Sequence, residues 1–137
     1  MIKKIEHLGI AVNSLDEAIP LYERLLQTTC YKTESVSSEG VNTAFFQIGE
    51  AKIELLEANN QNSPIAKFLS KRGEGFHHVA FDVDDIEEEL ARLQKLDFIL
   101  LHLSPKEGAD NKRIAFMHPK STMGMLIELC QDNISKS

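Results

Sequence analysis

The chain has few cysteines, no long apolar run and no excess of basic residues. Its two cysteines, Cys30 and Cys130, lie far apart and lack the spacing of a thiolate metal site. No apolar run approaches the roughly 20 residues that a membrane span needs. The formal net charge of −6 gives nucleic acid and anionic membranes no electrostatic attraction. We therefore expect a cytoplasmic protein with reduced thiols and without nucleic-acid or membrane partners.

The length and composition indicate a folded protein. The 137 residues suit one globular domain, or two small modules that share a core, and 42% of them are hydrophobic. This apolar content excludes a disordered chain, because enough surface is available for burial.

An internal repeat organises the sequence. The segment from Ile5 to Val12 resembles the segment from Phe76 to Val83, so that His78 follows His7 by 71 residues. In each copy the histidine alternates with small residues on one face of a predicted strand. A lone histidine is more often structural. His77 lies on the opposite face with Val79 and Phe81, and we expect a structural role for it. The repeat favours a functional role for the other two.

The repeat continues downstream and ends on a carboxylate. Ile53-Glu54-Leu55 resembles Ile127-Glu128-Leu129 at a spacing of 74 residues, which a three-residue insertion explains. A glutamate in mid-strand between apolar neighbours is costly to bury unless it is paired or bound to a metal, although a solvated strand face is the simpler alternative. The chain therefore contains two copies of one supersecondary unit, each with a histidine near its start and a glutamate near its end.

Periodicity within each copy predicts strand, helix and then three strands. Capping signals at Ser14 and Asp85 predict the starts of the two helices, and the first helix is predicted over residues 15–27. The segment from Thr28 to Gly40 is predicted to be an irregular strand or a mobile loop. In the second copy the predicted segments are a strand over 98–103, a loop over 104–111, a strand over 113–117, a last strand over 125–129 and a frayed tail over 131–137.

These elements predict an α+β fold with two tandem βαβββ modules. The modules would form a curved mixed sheet around a metal-containing cavity, with the helices outside. We expect a single domain over residues 1–137, with module one at about 4–58, a linker at about 59–74 and module two at about 75–131.

The repeated residues form a potential metal-ligand set: His7, Glu54, His78 and Glu128. Imidazole nitrogen and carboxylate oxygen suit Co²⁺, Mn²⁺, Ni²⁺, Fe²⁺ or Zn²⁺, and affinity alone does not select among these ions. The lack of thiolate ligands disfavours a structural zinc site. Four protein ligands on an octahedral ion leave two positions for a bidentate oxygen ligand, which suits stabilisation of an enolate or enediolate.

The sequence resembles the methylmalonyl-CoA epimerases of the vicinal oxygen chelate (glyoxalase/bleomycin resistance) superfamily. The segments that carry this resemblance are His7–Val12, Ile53–Glu57, Ser63–Leu69, Gly75–Ala80 and Phe116–Ser121. The second histidine pair together with the Met-His-Pro-Lys-Ser loop at 117–121 is the most specific part. In this family the metal is held at the positions that match the four repeated residues named above.

The resemblance implies a metal-dependent isomerase that interconverts the (R) and (S) epimers of methylmalonyl-CoA and forms a homodimer. It implies that Glu128 combines metal ligation with proton transfer. A second acid or base is not evident, because Thr43 stands where some relatives carry a glutamate. Glu39, Glu50, Gln47 and a bound water remain alternatives for that role.

Two rival functions and one binding question remain open. Glyoxalase I uses the same fold and an equivalent metal set on a glutathione hemithioacetal, although the Met-His-Pro-Lys-Ser loop argues against it. A non-enzymatic ligand-binding protein of the same fold is disfavoured, because such proteins typically lack the metal residues. Candidates for contacts with coenzyme A, which otherwise are ordinary surface charges, are Lys106, Lys112, Arg113 and Lys120.

Overall fold

The structure, a computed structural model, describes residues 1–133. Within this range it contains eight β-strands, three α-helices and three short 3-10 helices. The strands are β1 Ile2–Ala11, β2 Lys32–Val36, β3 Val41–Ile48, β4 Ala51–Ala58, β5 Gly75–Val83, β6 Lys106–Glu107, β7 Lys112–Met117 and β8 Ile127–Asp132. The α-helices are α1 Leu15–Leu26, α2 Pro64–Arg72 and α3 Ile86–Lys95, and the 3-10 helices are Ser37–Glu39, Ala109–Asn111 and Pro119–Thr122.

The chain divides into two compact units at two points, before His7 and before His78. The His7 unit comprises His7–His77, and the His78 unit comprises Met1–Glu6 with the chain from His78 onward. Each of the two repeated histidines is therefore the residue at which the chain passes from one unit into the other.

In the His7 unit the strand order is β2-β3-β4-β1. β1 and β4 run parallel, whereas the other neighbours are antiparallel. Helix α1 packs on one face of these strands, against Ala44, Phe46 and Leu55. Helix α2 uses Ile65 to cover Val41 at one end of the opposite face. The burial of one apolar face under each helix follows from the period-2 pattern of the strands.

In the His78 unit the order is β1-β5-β8-β7-β6, with only the start of β1 included. β5 and β8 run parallel, and β7 is antiparallel to both of its neighbours. Helix α3 packs Ile86 and Leu90 against Leu129 on one face of the strands. A smaller cluster of Ala80 and Ile114 lies apart from that core.

These elements confirm the predicted α+β class, with two successive βαβββ modules, a mixture of parallel and antiparallel pairing, and helices packed on the strands. The module limits at residues 4–58, 59–74 and 75–131 and the metal-containing cavity stay predictions. Among the described residues, no helix is both long enough and apolar enough to cross a membrane.

The strand predicted over residues 98–103 is wrong, because only an isolated bridge from Leu100 to Met117 forms there. The backbone N–H of Phe116 on β7 donates to Nδ1 of His102, 3.0 Å away, so an imidazole takes the place of a ladder carbonyl. The short strand β6 forms instead within the predicted loop over 104–111.

The predicted limits of the last strand are also wrong. The carbonyl of Met125 accepts a hydrogen bond from the Thr122 hydroxyl, at 2.5 Å, within a turn, and β8 begins two residues later. Gln131 and Asp132, which were predicted to belong to a frayed tail, lie in β8. Residues 134–137 of that predicted tail lie outside the described residues.

Candidate metal centre

His7 and Glu54 form a buried pair in the His7 unit. Nε2 of His7 lies 3.1 Å from Oε1 of Glu54, and the two residues are 5% and 4% exposed. In the parallel pairing of β1 with β4, the residue opposite Glu54 is Gly9, two positions after the histidine. Because Gly9 has no side chain, the Glu54 carboxylate has room to lean toward the imidazole.

The His78 unit contains the same arrangement. Nε2 of His78 lies 3.0 Å from Oε1 of Glu128, and both residues are buried. The residue opposite Glu128 is the small Ala80, again two positions after the histidine. The edge of Phe116, the antiparallel partner of Glu128, meets the His78 ring at 5.6 Å and 80°. The repeat in the sequence therefore produces two equivalent histidine-glutamate pairs.

The chemistry and the spacing of both pairs fit a divalent metal ion. Two ligand atoms that bind one ion at about 2.1 Å and at a right angle are about 3.0 Å apart, close to the distance within each pair. A buried carboxylate carries a large desolvation cost, which a cation offsets. Imidazole nitrogen and carboxylate oxygen are ligands of first-row transition ions. His7, Glu54, His78 and Glu128 thus remain the predicted ligand set.

His77 contacts helix α2 within the His7 unit. Its ring packs edge-on against Phe68 of α2 at 4.8 Å and 82°. This contact fits the structural role predicted for it.

The predicted alternatives for a second acid or base differ in position. Thr43 is fully buried, and its hydroxyl donates to the Glu34 carbonyl at 3.2 Å. The Gln47 amide donates to two carbonyls of the β3–β4 hairpin, and Glu50 is exposed in the same hairpin. Glu39 ends the 3-10 helix that precedes β3.

Strand β2 lies in a segment for which the sequence pattern predicted no regular structure. The prediction of an irregular segment between Thr28 and Gly40 left its residues without an assigned face. The sequence Lys-Thr-Glu-Ser-Val over residues 32–36 has no apolar alternation that would indicate a face. In the structure Lys32, Glu34 and Val36 are half-buried, whereas residues 33 and 35 are exposed.

The four cationic candidates for coenzyme A contacts have different surroundings. The Lys112 ammonium is buried and contacts the carboxylates of Asp132 and Glu6. Arg113 forms an ion pair with Glu87. Lys106 is half-buried on β6, and Lys120 is exposed in the last 3-10 helix.

The chain is similar to known proteins over nearly its whole length. Residues 6–116 match the model of the glyoxalase/bleomycin resistance protein/dioxygenase superfamily. An ethylmalonyl-CoA/methylmalonyl-CoA epimerase of Cereibacter sphaeroides is 36% identical over 96% of this chain and 99% of its own length. The mitochondrial methylmalonyl-CoA epimerase of Dictyostelium discoideum is 36% identical over 93% of this chain and 78% of its own length.

A solved structure shows the same fold. The structure of a methylmalonyl-CoA epimerase in complex with methylmalonyl-CoA and NH4+ has 31% sequence identity and a TM-score of 0.94. The match covers 100% of this chain and 99% of the other. The chain thus belongs to the glyoxalase/bleomycin resistance protein/dioxygenase superfamily and, within it, to the methylmalonyl-CoA epimerase family.

Proposed function

We propose that the protein is a metal-dependent isomerase that interconverts the (R) and (S) epimers of methylmalonyl-CoA. The observation that carries this proposal is the pair of buried histidine-glutamate contacts, His7–Glu54 and His78–Glu128, in a chain similar to epimerases over nearly its whole length. A purely structural role would not require the same buried pair twice, each opposite a small residue.

His7, Glu54, His78 and Glu128 would hold one divalent ion between them, drawn from Co²⁺, Mn²⁺, Ni²⁺ and Zn²⁺. When bound, the ion would supply a Lewis acid that stabilises negative charge on the substrate oxygens. The two imidazoles act as neutral ligands, and the two carboxylates balance the charge of the ion.

The protein's own part in the chemistry is proton transfer at the carbon between the thioester and the carboxylate. Glu128 exchanges a proton with one face of this carbon, and a second group exchanges a proton with the opposite face. Inversion requires both groups, whereas exchange of the proton with solvent requires only one. The two events can therefore be measured separately.

The coenzyme A arm requires cations outside the metal ligands. Lys112 is a poor candidate, because its ammonium is buried against Glu6 and Asp132. Lys120 is exposed and follows His118, whose Nδ1 accepts the Lys120 backbone N–H at 2.9 Å. We therefore assign the phosphate contact to Lys120 rather than to Lys112.

The test is α-proton exchange in ²H₂O, with protein loaded with each of the four ions and with either epimer as substrate. We expect exchange together with inversion in the wild type, and a loss of inversion by 10²–10⁴-fold, on the order of a general acid-base contribution, in Glu128→Gln. Absence of exchange from both epimers with every ion would overturn the proposal. Turnover of a glutathione hemithioacetal in its place would establish the glyoxalase alternative.

Assembly and location belong to the same proposal. We propose a homodimer, as the family resemblance implies, and a cytoplasmic location, as the two distant cysteines of the sequence favour. Sedimentation equilibrium of the metal-loaded protein at micromolar concentration should give twice the mass of one chain, and a monomer mass at those concentrations would contradict the dimer.

A further inference from the structure

The face of the His7 unit that carries the metal ligands can be followed across its strands. Residues that are directly opposite in neighbouring strands place their side chains on the same face of a sheet. Gly9 is opposite Glu54 on β4, and Glu54 is opposite Phe45 on β3. His7 and Thr43, each two positions away from a residue of this row, share the face.

The packing of the helices confirms this assignment. Val41 and Leu56, on the same alternation as Thr43 and Glu54, pack under α2. Ala44, Phe46 and Leu55, on the opposite alternation, pack under α1. The ligand-bearing face is therefore covered by α2 only at the Val41 end.

Glu34 on β2 belongs to this face. It is directly opposite Thr43 in the antiparallel pairing of β2 with β3. Its side chain is 30% exposed, and Oε1 lies 3.4 Å from the ammonium of Lys32, which stands on the same face of β2. Thr33 and Ser35, which alternate with it, are exposed on the other face.

Glu34 is well placed to reach a substrate bound next to Glu54. Neighbouring strands are about 4.8 Å apart, so the Glu34 backbone on β2 lies about 10 Å from β4. The residue of β4 in the same row as Glu34 is Leu56, two positions from Glu54. A glutamate side chain extends about 4 Å, and an acid or base must reach the α-carbon of the substrate rather than the ion. The intervening Thr43 has a short, fully buried side chain, and its hydroxyl donates to the Glu34 carbonyl on the neighbouring strand.

We propose that Glu34 is the second proton-transfer residue, a catalytic carboxylate supplied from β2 in a chain that has Thr43 rather than a carboxylate on β3. The inference rests on the proposed epimerase function. Glu34 takes the α-proton from one face of the substrate and becomes a carboxylic acid. The C–H bonding pair becomes the carbon–carbon π bond of the enolate, and the thioester π pair moves to oxygen. Glu128, as the acid, then gives a proton to the opposite face. The carbon–carbon π pair of the enolate forms the new C–H bond, and the oxygen pair restores the thioester carbonyl.

The other carboxylates of the His7 unit fit this role less well. Glu39 lies beyond Val41, on the far side of Thr43 from Glu54 along β3. Glu50 is exposed in the hairpin at the other end of the strand. Among these residues, Glu34 is the carboxylate on the ligand-bearing face nearest to the Glu54 row.

The test compares α-proton exchange and inversion, from each epimer separately, in the wild type, Glu34→Gln and Glu34→Asp. We expect Glu34→Gln to reduce inversion by 10²–10⁴-fold. One epimer should still exchange its proton without inversion, through the remaining group, whereas the other epimer should not exchange. Glu34→Asp should recover part of the inversion rate, because it keeps the carboxylate. Glu50→Gln is the matched control and should behave as wild type.

Two results for Glu34→Gln would overturn the inference while the wild type remains active. Inversion within about threefold of wild type would show that the carboxylate is not needed, and equal loss of exchange from both epimers would show a structural effect. Titration with Mn²⁺ gives a readout independent of activity: Glu34→Gln should bind the ion within about twofold of wild type, because Glu34 is not a ligand. Failure of the epimerase proposal would appear separately, as an inactive wild type.

Discussion

The carboxylate of Glu57 on β4 accepts a hydrogen bond from the backbone N–H of Leu15, the first residue of α1, at 2.8 Å. The other oxygen of the same carboxylate accepts from the Asn42 amide of β3 at 3.1 Å. Ser14 has the backbone conformation of an N-cap but makes no side-chain cap hydrogen bond. The predicted local cap is thus replaced by a residue 42 positions away, which ties α1 to the two strands beneath it.

Replacing Glu57 with alanine should destabilise the protein by about 1 kcal/mol, because an N-terminal N–H of α1 loses its acceptor and the helix dipole loses a negative charge. Urea unfolding at fixed metal concentration measures the change. Ser14→Ala is the matched control, and its free energy of unfolding should stay within about 0.5 kcal/mol of wild type. A larger cost for Ser14→Ala than for Glu57→Ala would contradict this assignment of the cap.

The elements that were predicted well are those with a strong local pattern. The start of α1 and the end of β7 agree with the sequence, because their apolar residues recur with a clear period. The prediction of a strand near Phe98 was wrong for a non-local reason, since the His102 side chain accepts a hydrogen bond from a backbone N–H of β7. The cap by Glu57 could not be predicted either, because local sequence patterns do not include a hydrogen-bond partner that is 42 residues away.

The residues of the candidate site also differ in whether the sequence predicts them. The histidine and glutamate of each pair were predicted because the sequence repeats and each histidine alternates with small residues in its own strand. Glu34 was not predicted, since its face becomes clear only from the pairing of β2 with Thr43 on β3. A sequence repeat identifies residues that occur in both copies. A residue that occurs in only one copy can be assigned to a face of the sheet only when the strand register is known.

Removal of metal should lower the stability of the wild-type protein, and His7→Ala should lose most of that response. An ion that binds only the folded state at 100 times its Kd stabilises by about 2.7 kcal/mol. Thermal unfolding with Mn²⁺ and with a chelator measures the difference. His77→Ala is the control from the same sequence motif: it loses the contact with Phe68 and should keep the metal response. An equal loss of response in both variants would argue against His7 as a ligand.

Gly40 should tolerate alanine less well than Gly49. Both have positive φ, +69° and +56°, so each substitution costs about 1 kcal/mol of backbone strain. At Gly40 an added Cβ would also lie 2.5 Å from the Cβ of Ser63, whereas nothing lies within 4 Å at Gly49. We expect Gly40→Ala to cost a further 1–3 kcal/mol, on the order of an overpacked core site. Equal urea midpoints for the two variants would contradict the close approach.

Asp82 should make the protein less stable as pH rises. Desolvation by burial raises the pKa of Asp82 above its ordinary value of 3.8, and the Lys112 ammonium only partly opposes this. The folded state therefore binds the proton more tightly than the unfolded state, and stability falls as pH rises from 3.8 through the raised pKa. Asp82→Asn removes this penalty, so it should raise the urea midpoint at pH 7.

The control for this prediction is the pH dependence of the difference between Asp82→Asn and wild type. The difference should shrink as pH falls below the raised pKa, where the wild-type Asp82 is protonated in the folded state. Urea curves between pH 4 and pH 7, with chelator present so that metal ligands do not contribute, measure it. A difference that grows toward acid pH would give the opposite sign and reject the desolvation argument.

Lys112 should stabilise the fold rather than bind coenzyme A. Its ammonium is buried and lies 3.5 Å from Oε2 of Glu6, which is only 3% exposed, and it also contacts Asp132. Replacing it with methionine would leave the buried Glu6 carboxylate without this cation. The expected cost is about 3 kcal/mol, the lower end for breaking a buried ion pair.

The double variant Lys112→Met/Glu6→Gln separates this ion pair from other effects of the substitution. Removing the charge of Glu6 should recover more than half of the lost stability, because the cost lies in the buried carboxylate rather than in the missing methylenes. Lys120→Met should cost less than about 0.5 kcal/mol, as expected for an exposed residue, but should raise the KM for the CoA substrate. If Lys112→Met raised that KM and left stability unchanged, the two lysines would have exchanged the roles assigned to them.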